Sequence, residues 1–80
     1  MKIIKDLAIS ESGFVFNPIT GESFNVNEVG YAIINKLKEG AENSEILSFL
    51  LSEFDADPNE LEKDFNDFIN MLQKNKLLTV

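Results

Sequence analysis

The feature that most constrains how this chain folds is the stretch 14–37, in which a hydrophobic period of two changes to a period of about 3.6. Large apolar residues first occupy every second position on both sides of the segment 17–22, a pattern typical of two short strands joined by a turn. These apolar positions are Phe14, Phe16, Phe24 and Val26. Pro18 has its φ preset for a turn, and Gly21 can adopt the positive φ that tight turns require. The stretch therefore begins with a predicted β-hairpin.

A helix is predicted directly after the hairpin, over residues 28–39 and ending at Gly40. Asn27 is the expected N-cap, because its short polar side chain can accept a hydrogen bond from the first turn. One helical face carries Val29, Ile33 or Ile34, and Leu37. No spacer separates hairpin and helix, so we expect them to share one apolar layer. Gly30 costs a helix about 1 kcal/mol relative to alanine, and we expect it to allow close approach to the hairpin.

The remaining sequence predicts one earlier strand and two later helices. Residues 7–10 are the expected first strand of an antiparallel meander, which leaves the strand 22–26 at the edge of the sheet. A second helix is expected over residues 45–53, capped by Asn43 or Ser44. Asp57 followed by Pro58 is a strong start signal for a third helix.

The third helix is predicted to be the longest and to carry a wide apolar stripe. Positions spaced i, i+4, i+7 and i+11 share the face expected to meet the core. They are Leu61, Phe65, Phe68 and Leu72. Ile69 and Met71 flank them, so the stripe is wider than one packing partner requires.

The composition excludes most enzymatic chemistry. Eighty residues accommodate one domain, here residues 1–80. The sequence has no Cys and no His, which removes the usual zinc ligands and the commonest general base. Asp55, Asp57 and Asn59 alternate as calcium ligands do, but Glu60 stands where a calcium loop needs glycine, so helix capping explains them better. We expect neither catalysis nor a metal or other cofactor.

The net charge of −7 bears on possible partners. It opposes the positive field that nucleic-acid binding generally requires, so a basic or amphipathic partner fits better. The sequence has no apolar run near the roughly 20 residues that span a bilayer, and its first residues do not resemble a signal peptide. We expect a cytoplasmic protein that binds neither nucleic acid nor membrane.

The predicted edge strand, residues 22–26, is the most informative candidate site. Proteins usually protect such an edge with lysine, proline or a bulge, and this segment contains neither Lys nor Pro. Two interpretations stay open. The edge is either protected simply by being short, or it is kept open to accept a peptide as an additional strand.

The order of motifs along the chain adds a family resemblance. The motifs are the hairpin-to-helix sequence 15–30, Leu37 with Gly40, the apolar segment 46–54, Asp57-Pro58, and Leu77-Leu78. Together they resemble the PqqD-like family, the small RRE domains that recognise precursor peptides. The resemblance covers nearly the whole chain. It implies an α+β, winged-helix-like fold in which a three-stranded antiparallel sheet is followed by three helices.

The resemblance also implies a non-catalytic function. Such a domain binds the leader segment of a ribosomally synthesised precursor peptide by strand addition and presents it to a modifying enzyme, often a radical SAM maturase. On this sequence the binding edge would comprise Glu22, Ser23, Phe24, Asn25 and Val26. The groove beside it would be lined by Phe68, Ile69, Met71 and Leu72. From the residues alone, Phe68 and Leu72 fit the core equally well, whereas Asp64 and Asp67 are placed to attract Lys or Arg of the peptide.

Two alternative functions remain. The protein could be a structural or regulatory subunit that docks on an enzyme without holding a peptide. It could also be a winged-helix DNA-binding protein, although its negative charge opposes that function.

Overall fold

A three-stranded antiparallel sheet precedes three helices, as the sequence predicted, and a second, two-stranded sheet joins the ends of the described chain. The computed structural model describes residues 2–79, so Met1 and Val80 of the predicted domain lie outside the described part. In chain order the elements are β1 (Lys2–Ile3), β2 (Ala8–Ile9), β3 (Phe14–Asn17), β4 (Glu22–Asn25), α1 (Glu28–Lys38), α2 (Asn43–Glu53), α3 (Pro58–Lys74) and β5 (Leu78–Thr79).

The predicted hairpin is formed by β3 and β4, and β2 completes the sheet in the order β2-β3-β4. Val15 lies opposite Phe24, and Phe14 lies opposite Asn25. Residues directly opposite each other in an antiparallel pair share one face. Val15 and Phe24 therefore face the helices, whereas Phe14 and Phe16 lie on the other face and are 45% and 38% exposed. The alternation within each strand is as predicted, but the register places Phe14 and Phe24 on opposite faces.

The second sheet is absent from the sequence prediction. In it β1 pairs antiparallel with β5, with Ile3 opposite Leu78, and the N–H of Ile4 donates to the carbonyl of Leu77 at 3.0 Å. Leu77 and Leu78 are buried in the core. Within the described residues, β5 therefore pairs with β1 and not with the outer edge of β4.

The ends of α1 and α3 follow their predicted capping residues. Asn27 Oδ1 accepts a hydrogen bond from the N–H of Gly30 at 2.9 Å, and Asp57 Oδ1 accepts one from the N–H of Asn59 at 2.9 Å. Gly40 has the expected positive φ of 87° after α1. The capping interpretation of Asp57 is therefore confirmed.

The start of α2 differs from the prediction. The helix begins at Asn43, and Glu42 is its N-cap residue, so the assignment of the cap to Asn43 or Ser44 is wrong. The N–H of Glu42 donates to Glu45 Oε1 at 3.0 Å. Glu42 and Glu45 form a reciprocal capping box, which satisfies free donors of the first turn with glutamate side chains.

The core lies between the inner face of the sheet and the three helices. Its cluster of buried residues is Leu7, Val15, Ile33, Ile34, Leu37, Ile46, Leu50, Phe65, Ile69, Leu72, Leu77 and Leu78. On α3 the predicted stripe needs one correction, because Ile69 is buried at 6% exposure whereas Phe68 is only half-buried. The core face of α3 therefore continues from Phe65 to Ile69, and Phe68 lies at the border between this face and the exposed surface. None of the helices within residues 2–79 is long and apolar enough to cross a membrane.

Gly30 is where α1 meets two other elements at short range. A Cβ atom at this position would lie 2.9 Å from the Cβ of Val26, just after β4, and 3.0 Å from the ring of Phe68 on α3. The predicted close approach to the hairpin is confirmed, and α3 shares in it. Glycine fits between these two neighbours without a shift of either, whereas a Cβ atom would require one of them to move.

Replacing Gly30 with alanine is expected to lower the free energy of unfolding by about 1 kcal/mol. Alanine gains roughly 1 kcal/mol in helix propensity, but overpacking typically costs about 1–3 kcal/mol, and the Cβ of Val26 is too close to the backbone to move freely. Urea unfolding followed by circular dichroism measures the change. Ser48→Ala, at an exposed position of α2, is the control that gains helix propensity without a clash. A Gly30→Ala protein as stable as the wild type would contradict the packing role.

Candidate functional site

A groove runs along α3, with β4 on its other side in the middle part and α1 on its other side at one end. Within residues 2–79, three cavities that share lining residues follow one another along it. The first, called here the α1-side cavity, has a volume of about 350 Å³ and is lined by Asn27, Val29, Gly30, Ile33, Asp64, Asp67, Phe68 and Met71. The middle cavity, of about 370 Å³, is lined by Asn17, Glu22, Ser23, Phe24, Met71, Asn75 and Leu77. The turn-side cavity, of about 440 Å³, is lined by Ile4, Asn17, Ile19, Thr20, Glu22, Lys74, Asn75 and Lys76.

These linings show how β4 and α3 are oriented. The start of β4, at Glu22, lies beside Asn75 just beyond the end of α3. Asn27, just beyond the end of β4, lies beside Asp64 in the first half of α3. Strand and helix therefore run in opposite directions, with Met71 bordering both the α1-side and the middle cavity.

The outer edge of β4 has main-chain groups directed away from the sheet. The N–H of Val26 donates to the carbonyl of Gly13 at 2.8 Å, which marks an inward-facing position. Main-chain groups in an antiparallel strand alternate in direction from one residue to the next. The groups of Phe24 therefore face β3, and those of Ser23 and Asn25 face outward. Within residues 2–79, β3 is the only strand paired with β4.

The predicted groove residues of α3 divide into two groups. Phe68 and Met71 are half-buried and line the cavities. Ile69 and Leu72 are buried at 6% and 0% exposure, so they belong to the core beneath the groove and do not line it in this structure. The wide stripe identified in the sequence thus serves both the core and a surface beside β4.

The two ends of the groove carry opposite charges. Asp64 and Asp67 line the α1-side cavity. Lys63 Nζ lies 3.0 Å from Asp67 Oδ2, and this hydrogen bond and the charge of Asp67 raise the pKa of Lys63. At the other end, Lys74 and Lys76 line the turn-side cavity together with Glu22.

Several groove residues were not identified from the sequence. The α1-side cavity includes Val29 and Ile33 of the first helix, whose spacing predicted only a core face. The middle cavity includes Asn17 and Leu77. Asn17 is buried, and its Oδ1 accepts a hydrogen bond from the N–H of Ile19 at 3.0 Å, which stabilises the turn. The sequence held one signal that α1 forms part of the groove, namely Gly30, which is an unfavourable residue inside a helix.

Comparison with known proteins places this architecture in a family. The family model described as coenzyme PQQ synthesis protein D (PqqD) matches residues 13–78. The chain belongs to the PqqD family, which confirms the resemblance found in the sequence. The comparison with curated protein sequences finds no significant match.

Two solved structures share the fold. TbiB1, in complex with the TbiA(beta) leader peptide, is 30% identical, covers 98% of this chain and 94% of its own, and superposes with a TM-score of 0.83. A lasso peptide synthetase B1 complexed with the leader peptide is 22% identical, covers 88% of this chain and 84% of its own, and has a TM-score of 0.71. The second likeness concerns the fold alone.

Amide hydrogen exchange measured by NMR tests the orientation of the β4 edge. We expect the amides of Phe24 and Val26, which face β3, to exchange at least about tenfold more slowly than those of Ser23 and Asn25, which face solvent. Val15 of the central strand is the protected reference. Equal protection of these four amides would mean that the outer edge is already paired or covered.

Proposed function

We propose that this protein binds the leader segment of a ribosomally synthesised precursor peptide by strand addition to β4 and presents it to a modifying enzyme. The observation that carries the proposal is the unpaired outer edge of β4 beside a groove walled by α3. The likeness to TbiB1, whose structure contains a leader peptide, supports it. The domain itself is assigned no catalytic role, and a radical SAM maturase is the class of modifying enzyme we propose as its partner.

Backbone pairing would supply affinity with little demand on peptide sequence. An added strand can pair with the outward N–H and C=O groups of Ser23 and Asn25. Each such hydrogen bond contributes about 0.5–1.5 kcal/mol net. Pairing alone is therefore weak, and the groove must add side-chain contacts.

The cavities of the groove would supply these side-chain contacts and with them the selectivity for particular peptides. In an added strand, alternate side chains point toward α3, while the others point toward the opposite face. The middle cavity offers apolar contacts from Phe24, Met71 and Leu77, and the α1-side cavity offers Phe68. Ile69 and Leu72 take part indirectly in this proposal, because as core residues they hold α3 at the correct distance from β4.

Substituting Asn25 with proline is expected to weaken leader binding at least about tenfold while leaving the fold largely intact. Proline removes the outward N–H and its ring obstructs the added strand, but an edge strand tolerates proline. Asn25→Ala is the matched control, because it removes the side chain and keeps the N–H. The measurement is an amide NMR titration with leader segments of precursor peptides encoded beside this gene. In the wild type, shifts are expected in residues 22–26 and 64–72.

Two results would contradict the proposal. One is equal affinity of Asn25→Pro and Asn25→Ala for a leader segment that binds the wild type. The other is a set of shifts on the outer face of the sheet, around Phe14 and Phe16, with none in β4 or α3.

The outer face of the sheet favours a second candidate function, docking on an enzyme as a subunit. Phe14 and Phe16 are exposed there, and the register places them beside Ala8, Ser23 and Asn25. This face thus carries aromatic and small polar side chains without charge, in a protein where 26% of residues are charged. It also adjoins the edge to which a leader would be added. The proposed occupant is an apolar surface of the modifying enzyme.

Substituting both Phe14 and Phe16 with serine separates the two functions. We expect the double variant to bind a leader segment with unchanged affinity but to lose at least about tenfold in affinity for the modifying enzyme encoded beside the gene, since exposed aromatic anchors commonly dominate such interfaces. Isothermal titration calorimetry measures both. Leu51→Ser, at an exposed apolar position of α2, is the control. Undiminished enzyme binding by the double variant would exclude this face as the docking surface.

A further inference from the structure

The charges along the groove point to a particular class of peptide, an inference that rests on the proposed strand addition. Asp64 and Asp67 line one end, and no lysine lines the same cavity. Lys74 and Lys76 line the other end, where Glu22 offsets one of their two charges. The chain contains 14 acidic and 7 basic residues. A net positive groove end is therefore a local departure from the overall charge of the protein.

Neither charged end is neutralised within the described residues. Asp67 pairs with Lys63, but both side chains are largely exposed, at 63% and 76%, and such pairs are worth little. Asp64 has no ion pair within residues 2–79. Including Lys63, the α1-side end has a net charge of −1, and the turn-side end has a net charge of +1.

The separation of the two ends matches the repeat of a β-strand. A helix rises about 1.5 Å per residue, so Lys74 lies roughly 10 Å along α3 from Asp67 and roughly 15 Å from Asp64. A strand rises about 3.3 Å per residue, and every second side chain points the same way. Residues i and i+4 of an added strand are thus about 13 Å apart and both face α3. Residue i+2 then faces the apolar middle cavity.

We propose that the leader recognised by this groove carries a basic side chain at the α1-side end, an apolar side chain two residues away, and an acidic side chain four residues away. The basic side chain lies near Asp64 and Asp67, and the acidic one near Lys74 and Lys76. The apolar side chain fills the space between Phe24, Met71 and Leu77. The charges determine the register of the peptide along β4, while the backbone bonds and the apolar contact hold it.

A selection experiment with the 80-residue protein tests this pattern. Random 12-residue peptides displayed on phage are selected on the immobilised wild-type protein, and a synthetic peptide of the enriched pattern is compared with one whose basic and acidic residues are exchanged. We expect fluorescence anisotropy to show a preference of about two- to fivefold for each charged end, decreasing with salt. The double variant D64K/D67K is expected to lose or reverse the preference.

A matched variant controls for the change in net charge. Glu53→Lys with Glu62→Lys changes the protein charge by the same amount, at exposed positions that line none of the three cavities, and is expected to keep the wild-type preference. Enriched peptides that lack the pattern, or a preference that D64K/D67K leaves unchanged, would overturn the inference while strand addition stands. Two other results would overturn the proposed function and this inference with it. One is that no peptides are selected, and the other is that the selected peptides bind Asn25→Pro as tightly as the wild type.

Discussion

The contact at Gly30 is the constraint on which the rest of the structure depends. It brings α1 against Val26 at the end of β4 and against Phe68 of α3 in the same place. A side chain at this position would separate three elements at once. Because β4 leads directly into α1 through Asn27, this contact fixes the angle at which the helices leave the sheet. It also sets the width of the α1-side end of the groove.

The pairing of β1 with β5 determines which sheet edge remains open. A C-terminal segment that returned to the three-stranded sheet would have β4 as one available edge. Here it pairs with Lys2–Ile3 instead, and Leu77 and Leu78 enter the core. The last residues of the described chain thus support the middle of the groove, since Leu77 lines the middle cavity, without occupying the edge. The topology closes the fold and keeps β4 accessible.

Local patterns predicted the elements well. The cap of α2 was assigned wrongly for a local reason, because Glu42 caps the helix together with Glu45, whereas the other errors arose where distant residues decide the outcome. Asn27 and Asp57 were identified as caps because a cap depends on its own first turn. The choice between Phe68 and Ile69 as the core residue depends on where α1 and the sheet lie, which a helical period does not specify. The register of the hairpin, which turns Phe14 outward, was not predicted, because it depends on the turn between the strands. The pairing of β1 with β5 joins residues more than 70 positions apart, and two-residue strands have no period to detect.

The candidate site was likewise predicted where it depends on local patterns and missed where it depends on packing. The edge at β4 and the surface residues Phe68 and Met71 follow from local alternation and from the width of the stripe on α3. Val29 and Ile33 of α1 line the groove only because the Gly30 contact brings the two helices together, so their own spacing did not reveal it. Ile69 and Leu72 were assigned to the groove because the sequence shows which residues are apolar, whereas only the packing shows which of them are covered.

An unprotected edge strand is a hazard, because a second copy of the same chain could pair with it. In this protein the net charge opposes that pairing. It is −7, so two copies repel each other as they approach, whereas a peptide with a basic residue near Asp64 and Asp67 would be attracted. The excess of carboxylates over basic side chains can therefore help to keep the edge free of other copies and available to a leader, without the lysine or proline that usually protects such a strand.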